Sequence, residues 1–147
     1  MTYVRLAALS DAPRISEILA DSDSHFDPVA ELSRSYAKLW VVVAAESGPA
    51  DGVLLSWEVA DEVQIIDVAV ASAARRKGCG RALLHAVIAR AQRTSARLLL
   101  LEVRRDNFAA QQLYRSCGFA ETGERKAYYA DEKGVKSTAL VMRRVLR

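Results

Sequence analysis

Between Glu62 and Val103 the sequence reads strand, glycine turn, helix, strand, and few folds accept that order. "EVQIIDVAV" is an apolar run that ends at Val70, and "RALLHAVIARAQRTS" brings Leu83, Leu84, Val87, Ile88 and Ala91 round at helical spacing. "RLLLLEV" is a short continuous apolar run, the pattern of a strand covered on both faces. Such a succession predicts a right-handed parallel crossover. Between its first strand and its helix lies "RRKGCGR", Arg75 to Arg81.

The flanking segments predict the rest. "TYVRLAAL" alternates as a first strand, and "SDAPRISEILADS" is a helix with Ser10 or Asp11 as N-cap and Ile15, Ile18 and Leu19 on one face. "PVAELSRSYAKL" is expected to be a second helix, after which "WVVVAAES" and "GVLLSWEVA" form strands joined by the turn "GPADG". "NFAAQQLYRSCG" is a helix stopped by Gly118. "FAETGERKAYY" and "STALVMRRVL" close the chain as strands around "DEKG". The order β-α-α-β-β-β-α-β-α-β-β predicts an α+β fold: a mixed, mainly antiparallel sheet flanked by helices, in one domain over residues 1–147.

Composition narrows the class. With 147 residues, 51% hydrophobic and 27% charged, the chain can bury a real core and is expected to be soluble and globular. No apolar run approaches the roughly 18 residues of a membrane span. The start has no basic, apolar leader, and Cys79 and Cys117 are too few for a disulfide framework, so a cytoplasmic location is expected. A net charge of +3 is a weak argument for a nucleic-acid partner, and none is expected. His25 and His85 are isolated, so no metal is expected.

Two features carry chemistry. A helix start offers unpaired N–H groups, Gly78 and Gly80 let a phosphate come close, and Arg75, Arg76, Lys77 and Arg81 add positive charge. That suits a pyrophosphate, although a solvated helix start is the bland alternative; neither the Walker nor the Rossmann pattern is present. Cys79 sits at a helix start, a setting that lowers a thiol pKa, but no base stands near it in sequence. The second feature is Glu102, at the end of four leucines. An ionised carboxylate there costs several kcal/mol unless it is paired or used. Either it is a strand-end residue paired with Arg104 or Arg125, or an acid kept at the mouth of a core for chemistry.

"RRKGCG", "LEVRRDN" and "NFAAQQLYRSCGF", in that order after a strand, resemble the GCN5-related N-acetyltransferase (GNAT) superfamily. From about Ile65 to Tyr129 the likeness is to the RimI-type ribosomal-protein-alanine N-acetyltransferases. The resemblance implies acetyl-CoA as co-substrate. Its acetyl-pantetheine arm would lie on the backbone of Val68, Ala69 and Val70, and its pyrophosphate on the amides of Arg76, Lys77, Gly78, Cys79, Gly80 and Arg81. Asn107 would contact it too, a role compatible with capping its helix. Glu102 would be the general base and Tyr114 the general acid toward the sulfur, although Tyr114 also suits a core aromatic with its hydroxyl at the rim.

The acceptor implied is a protein N-terminus, with the N-terminal alanine of a small-subunit ribosomal protein as the example. Neutralising a lysine costs about 2.5 pKa units more than an α-amine, roughly 3.4 kcal/mol, which favours the α-amine in a one-carboxylate site. A small amine or lysine acceptor, or a non-catalytic coenzyme-binding module, remain alternatives. The family's Glu-Asp-Ala entering the last strand is here Ser137-Thr138-Ala139. Tyr128 and Tyr129 resemble the family's paired tyrosines near the acceptor groove, and packing of strand aromatics explains them equally well. Asp21, Asp23, Asp27 and Glu31 could attract a cationic acceptor or be solvated loop charges.

Overall fold

The computed structural model describes residues 2–130 and 136–147. Its strands are β1 (Tyr3–Leu6), β2 (Ala37–Val43), β3 (Ala50–Val59), β4 (Glu62–Val70), β5 (Leu98–Arg104), β6 (Ala120–Ala130) and β7 (Lys136–Val145). They form one sheet in the order β1-β2-β3-β4-β5-β7-β6, antiparallel throughout except for β4 beside β5. The α-helices are α1 (Ala12–Ala20), α2 (Pro28–Leu32), α3 (Cys79–Arg93) and α4 (Phe108–Ser116). This is the expected α+β succession. None of the helices described is long and apolar enough to cross a membrane.

Two apolar clusters hold helices to the two faces. Leu83, Leu84, Val87, Ile88 and Ala91 of α3, the residues its spacing singles out, bury against Val63, Ile65, Leu99, Leu101 and Val103. On the other face Ile15, Ile18 and Leu19 of α1 bury against Leu39, Val41, Val53 and Leu55. Each buried Leu, Ile or Val among them contributes roughly 1.5–3 kcal/mol by leaving water.

Four local expectations change. Asp11 stands at the head of α1, but its carboxylate does not cap the helix. It accepts from the Ala8 N–H at 2.7 Å and pairs with Arg5 at 2.8 Å, so it fixes the exit from β1. The second helix stops at Leu32, because Ala37 to Leu39 pair with Trp57 to Leu55 and belong to β2; ladder pairing overrides the helical pattern. β5 is not covered equally on its two faces: Leu99, Leu101 and Val103 are buried, while Leu98 and Leu100 are half-covered and Glu102 lies open. The strand also runs past Glu102, paired with β7 as far as Arg104 opposite Ala139. The "DEKG" turn (131–134) lies outside the described residues.

One irregularity shapes the middle of the sheet. Leu55 faces Asp67 and Ser56 faces Ile65, so Ile66 is surplus and forms a β-bulge. The parallel ladder between β4 and β5 ends at the same place, at Ile65 opposite Leu101. Past that pair the two strands part.

Candidate active site

A cleft of about 1580 Å³ opens where β4 and β5 separate. One wall is Val68 to Val70; the other is Glu102 with Asn107 and Tyr114. The segment after α1, Asp21 to His25, covers the front. Val68, Ala69, Val70, Arg75, Glu102, Asn107 and Tyr114, all singled out in the sequence, therefore share one cavity.

Glu102 escapes the leucine core by strand alternation, since its neighbours Leu101 and Val103 take the buried side. Its Oε1 accepts from Arg125 Nη1 at 2.9 Å, and its side chain is 32% exposed. Arg104 pairs with Asp106 at 3.2 Å. Glu102 is thus paired with Arg125 and also lines the cleft.

Tyr114 leans on the core beside Phe119, ring centroids 6.1 Å apart, and turns into the cleft. Burial first, then the negative charge of Asp67, pushes its phenol up to about 12. The helix carrying it is fixed at both ends. Asn107 Oδ1 accepts from the Ala110 N–H at 3.2 Å. At the other end Gly118 takes φ +91°, while the Phe119 N–H reaches the Tyr114 carbonyl and the Gly118 N–H the Arg115 carbonyl, each at 3.0 Å. This is a Schellman closure, which needs the left-handed residue.

The basic turn is bent as anion sites are. Arg76 takes φ +65° and Gly78 φ +82°, both left-handed, the kind of backbone bend that anion-binding nests use. The first bond of α3 runs from the Ala82 N–H to the Gly78 carbonyl at 3.0 Å, leaving Cys79, Gly80 and Arg81 without helical acceptors. A Cβ on Gly80 would stand 3.1 Å from Leu113 Cδ2, so the glycine allows α3 and α4 to pack closely. Arg76 and Lys77 are exposed there. Arg75 turns away, donating to the carbonyls of Val70 and Asp21 at 3.2 Å each, and Arg81 donates to Ser116 Oγ at 2.8 Å. Cys79 departs from expectation: burial, with Asp51 second and against the pull of Lys77, pushes its thiol up rather than down.

Asp67 is not singled out by the sequence, though an acid inside the apolar "QIIDVAV" is a signal. It lines the cleft and accepts from Ser24 Oγ at 2.7 Å through Oδ1. Burial raises its carboxyl above the ordinary range, against the opposing influence of Ser24 and His25. Of the front acids, Asp21 and Asp23 border the cleft. Asp27 caps α2 through the Val29 and Ala30 N–H groups. Glu31 is only 5% exposed and is held by Arg34 and, at 3.0 Å, by Trp57 Nε1. These last two serve the fold. The side chains of Tyr128, Tyr129 and Ser137 lie outside the described residues; the Thr138 carbonyl accepts from the Arg105 N–H at 2.9 Å.

Residues 8–119 match the acetyltransferase (GNAT) family. A Bacillus subtilis (strain 168) protein, provisionally named a ribosomal protein bS18-alanine N-acetyltransferase, is 33% identical over 135 residues, 87% of each chain. The ribosomal protein bS18-alanine N-acetyltransferase of Escherichia coli K12 is 39% identical over 84 residues, 57% of this chain and 56% of that one. The crystal structure of the ribosomal-protein-S18-alanine N-acetyltransferase from Escherichia coli matches at TM-score 0.88 and 26% identity, covering 99% of this chain and 94% of that one. A Bacillus subtilis acetyltransferase solved with CoA shares the fold at TM-score 0.82 and 18% identity, over 100% of both chains. The chain belongs to the acetyltransferase (GNAT) family and is an N-acetyltransferase that resembles the ribosomal-protein-alanine enzymes.

Proposed function

We propose that this chain transfers an acetyl group from acetyl-CoA to the α-amine at a protein N-terminus in the cytoplasm, with the N-terminal alanine of ribosomal protein bS18 as acceptor. The observation that carries the reading is the parting of β4 from β5 beside Glu102 and Tyr114. Past Ile65 the β5-facing edge of β4 has no ladder partner among the described residues, so an extended arm carrying amides can pair there as a strand would. The left-handed turn at Arg76 and Gly78, with the first-turn amides of α3, suits a pyrophosphate.

Acetyl-CoA supplies the activated acetyl carbon, and the residues manage two protons. Glu102 accepts one from the acceptor ammonium, directly or through water, and the free amine attacks the thioester carbonyl. Tyr114 donates toward the departing sulfur. Its high pKa keeps the phenol protonated until that moment.

A second reading, a small cationic amine as acceptor, draws on Asp21 and Asp23 at the cleft. Mass spectrometry of three acceptors separates the two: an Ala-starting peptide, an Nα-blocked peptide carrying lysine, and a polyamine. Acetylation of the first is expected. Reaction of the polyamine alone overturns the N-terminal reading.

A further inference from the structure

We infer that Asp67 is the docking group for the acceptor's ammonium, touching the substrate nitrogen and fixing its approach to the acetyl carbon. The inference rests on the reading of the cleft as an amine acetylation site and names a group that this reading does not use.

Placement is the first support. Ile65 and Val68 both pack into the α3-side cluster, three residues apart, while Ile66 packs into the α1-side cluster. The bulge therefore turns Asp67 toward the α1 side, opposite Leu55 and under Ser24. Glu102 opens to the same side of β5. The two carboxylates consequently flank the gap from neighbouring strands at the level where it opens.

Charge is the second. Arg or Lys pairs with Asp11, Glu17, Glu31, Glu58, Asp61 and Glu102, among others, but no ion pair among the described residues involves Asp67. Burial outweighs the influence of Ser24 and His25 on this carboxylate, and a docked ammonium relieves the remaining cost. Its rotamer is already set: Ser24 Oγ holds Oδ1, and Ser22 Oγ accepts from the Ser24 N–H at 3.1 Å. Oδ2 remains to receive an N–H of the substrate.

The third support is the coupling to Tyr114, whose phenol is held up partly by the charge of Asp67. An ammonium on Asp67 offsets that charge and eases proton donation to the sulfur. The proton balance is complete. One N–H proton passes from the ammonium to Glu102 and then to water, the C–N bond forms as the C–S bond breaks, the thiolate takes the Tyr114 proton, and the second proton shed by the acylated nitrogen returns to the Tyr114 phenolate through water. The amide product is neutral, no longer binds a carboxylate strongly, and leaves.

The test uses full-length protein, acetyl-CoA and the same three acceptors. Losing one charge-assisted hydrogen bond predicts that Asp67→Asn lowers kcat/KM about tenfold or more, mainly through acceptor KM, for every amine the wild type uses. Acetyl-CoA affinity by calorimetry should stay within about twofold, and Asp67→Glu should recover part of the loss. Ser24→Ala, with the carboxylate intact but unheld, should raise the same KM, and Ser24→Thr should restore it; these variants decide the matter if Asp67→Asn does not fold. Unchanged kcat/KM in Asp67→Asn, or loss of acetyl-CoA binding alongside it, overturns the inference. If the wild type uses only the polyamine, the N-terminal reading falls while the Asp67 inference is judged on that amine. If the wild type uses no amine, both fall.

Discussion

Arg125 Nη1 donates to Glu102 Oε1 across 2.9 Å, joining the partly described β6 to the open side of β5. The pair is solvent-exposed, 56% and 32%, so its own contribution is about 0.2–1 kcal/mol. The carboxylate is held in place without being sealed off.

Glu102→Gln should therefore lower kcat by about 10²–10⁴, the usual worth of a general base, with acetyl-CoA affinity nearly intact. Arg125→Gln should keep turnover within about fivefold, because the ion pair with Glu102 is exposed and weak. Equal losses in the two variants would assign the effect to the pair and remove Glu102 as the proton acceptor. Steady-state kinetics beside calorimetry decide this.

Tyr114→Phe should lower kcat and also delete a component near pH 12 from the phenolate absorbance titration. The sign for stability is fixed. Between the ordinary tyrosine value of 10.0 and about 12 the folded chain keeps a proton that the unfolded chain has lost. Wild-type stability relative to Tyr114→Phe must then fall as pH rises through that window, by about 2–3 kcal/mol in full. Denaturant midpoints of both proteins across the window measure it; parallel curves would contradict the burial of the phenol.

Asp11 works in the opposite sense, its carboxyl lowered first by the hydrogen bond from Arg5. A lowered acid stabilises above its unfolded pKa, and the benefit fades as pH drops through the folded value. Asp11→Asn should cost about 1–2 kcal/mol near neutrality, with the gap to wild type narrowing in acid. A gap constant with pH would show that the ion pair contributes nothing.

Gly78→Ala meets no neighbouring atom but must hold φ +82°, a strain of roughly 1–2 kcal/mol. Reduced acetyl-CoA affinity with a small fall in Tm is expected, read by calorimetry and thermal melts. Unchanged affinity would remove the turn from the donor site.

How much of this is legible in the sequence depends on how local its cause is. Leu83, Leu84, Val87, Ile88 and Ala91 declare α3 because the helical period is a property of the segment itself. Gly118 declares the end of α4 because a left-handed C-cap has one favoured residue. The segment from Ser33 to Leu39 misleads, since pairing with β3 is decided elsewhere in the chain. Glu31 reads as a loop charge, yet Trp57 and Arg34, both brought by the fold, make it a buried fastening. Asp67 is the sharpest case. Its residue type is visible in "QIIDVAV", but its direction depends on a bulge that nothing in the local pattern announces.

That bulge has a consequence of parity. Were β4 to alternate regularly through Ile66, without the bulge, everything from Asp67 to Val70 would swap sides: the acid would point among the leucines beneath α3, and Val68 and Val70 would surface on the opposite face. Deleting Ile66, by contrast, would close the bulge and leave Asp67 opposite Leu55 on the α1 side. How one surplus residue is accommodated decides whether this wall of the sheet offers chemistry or merely packing.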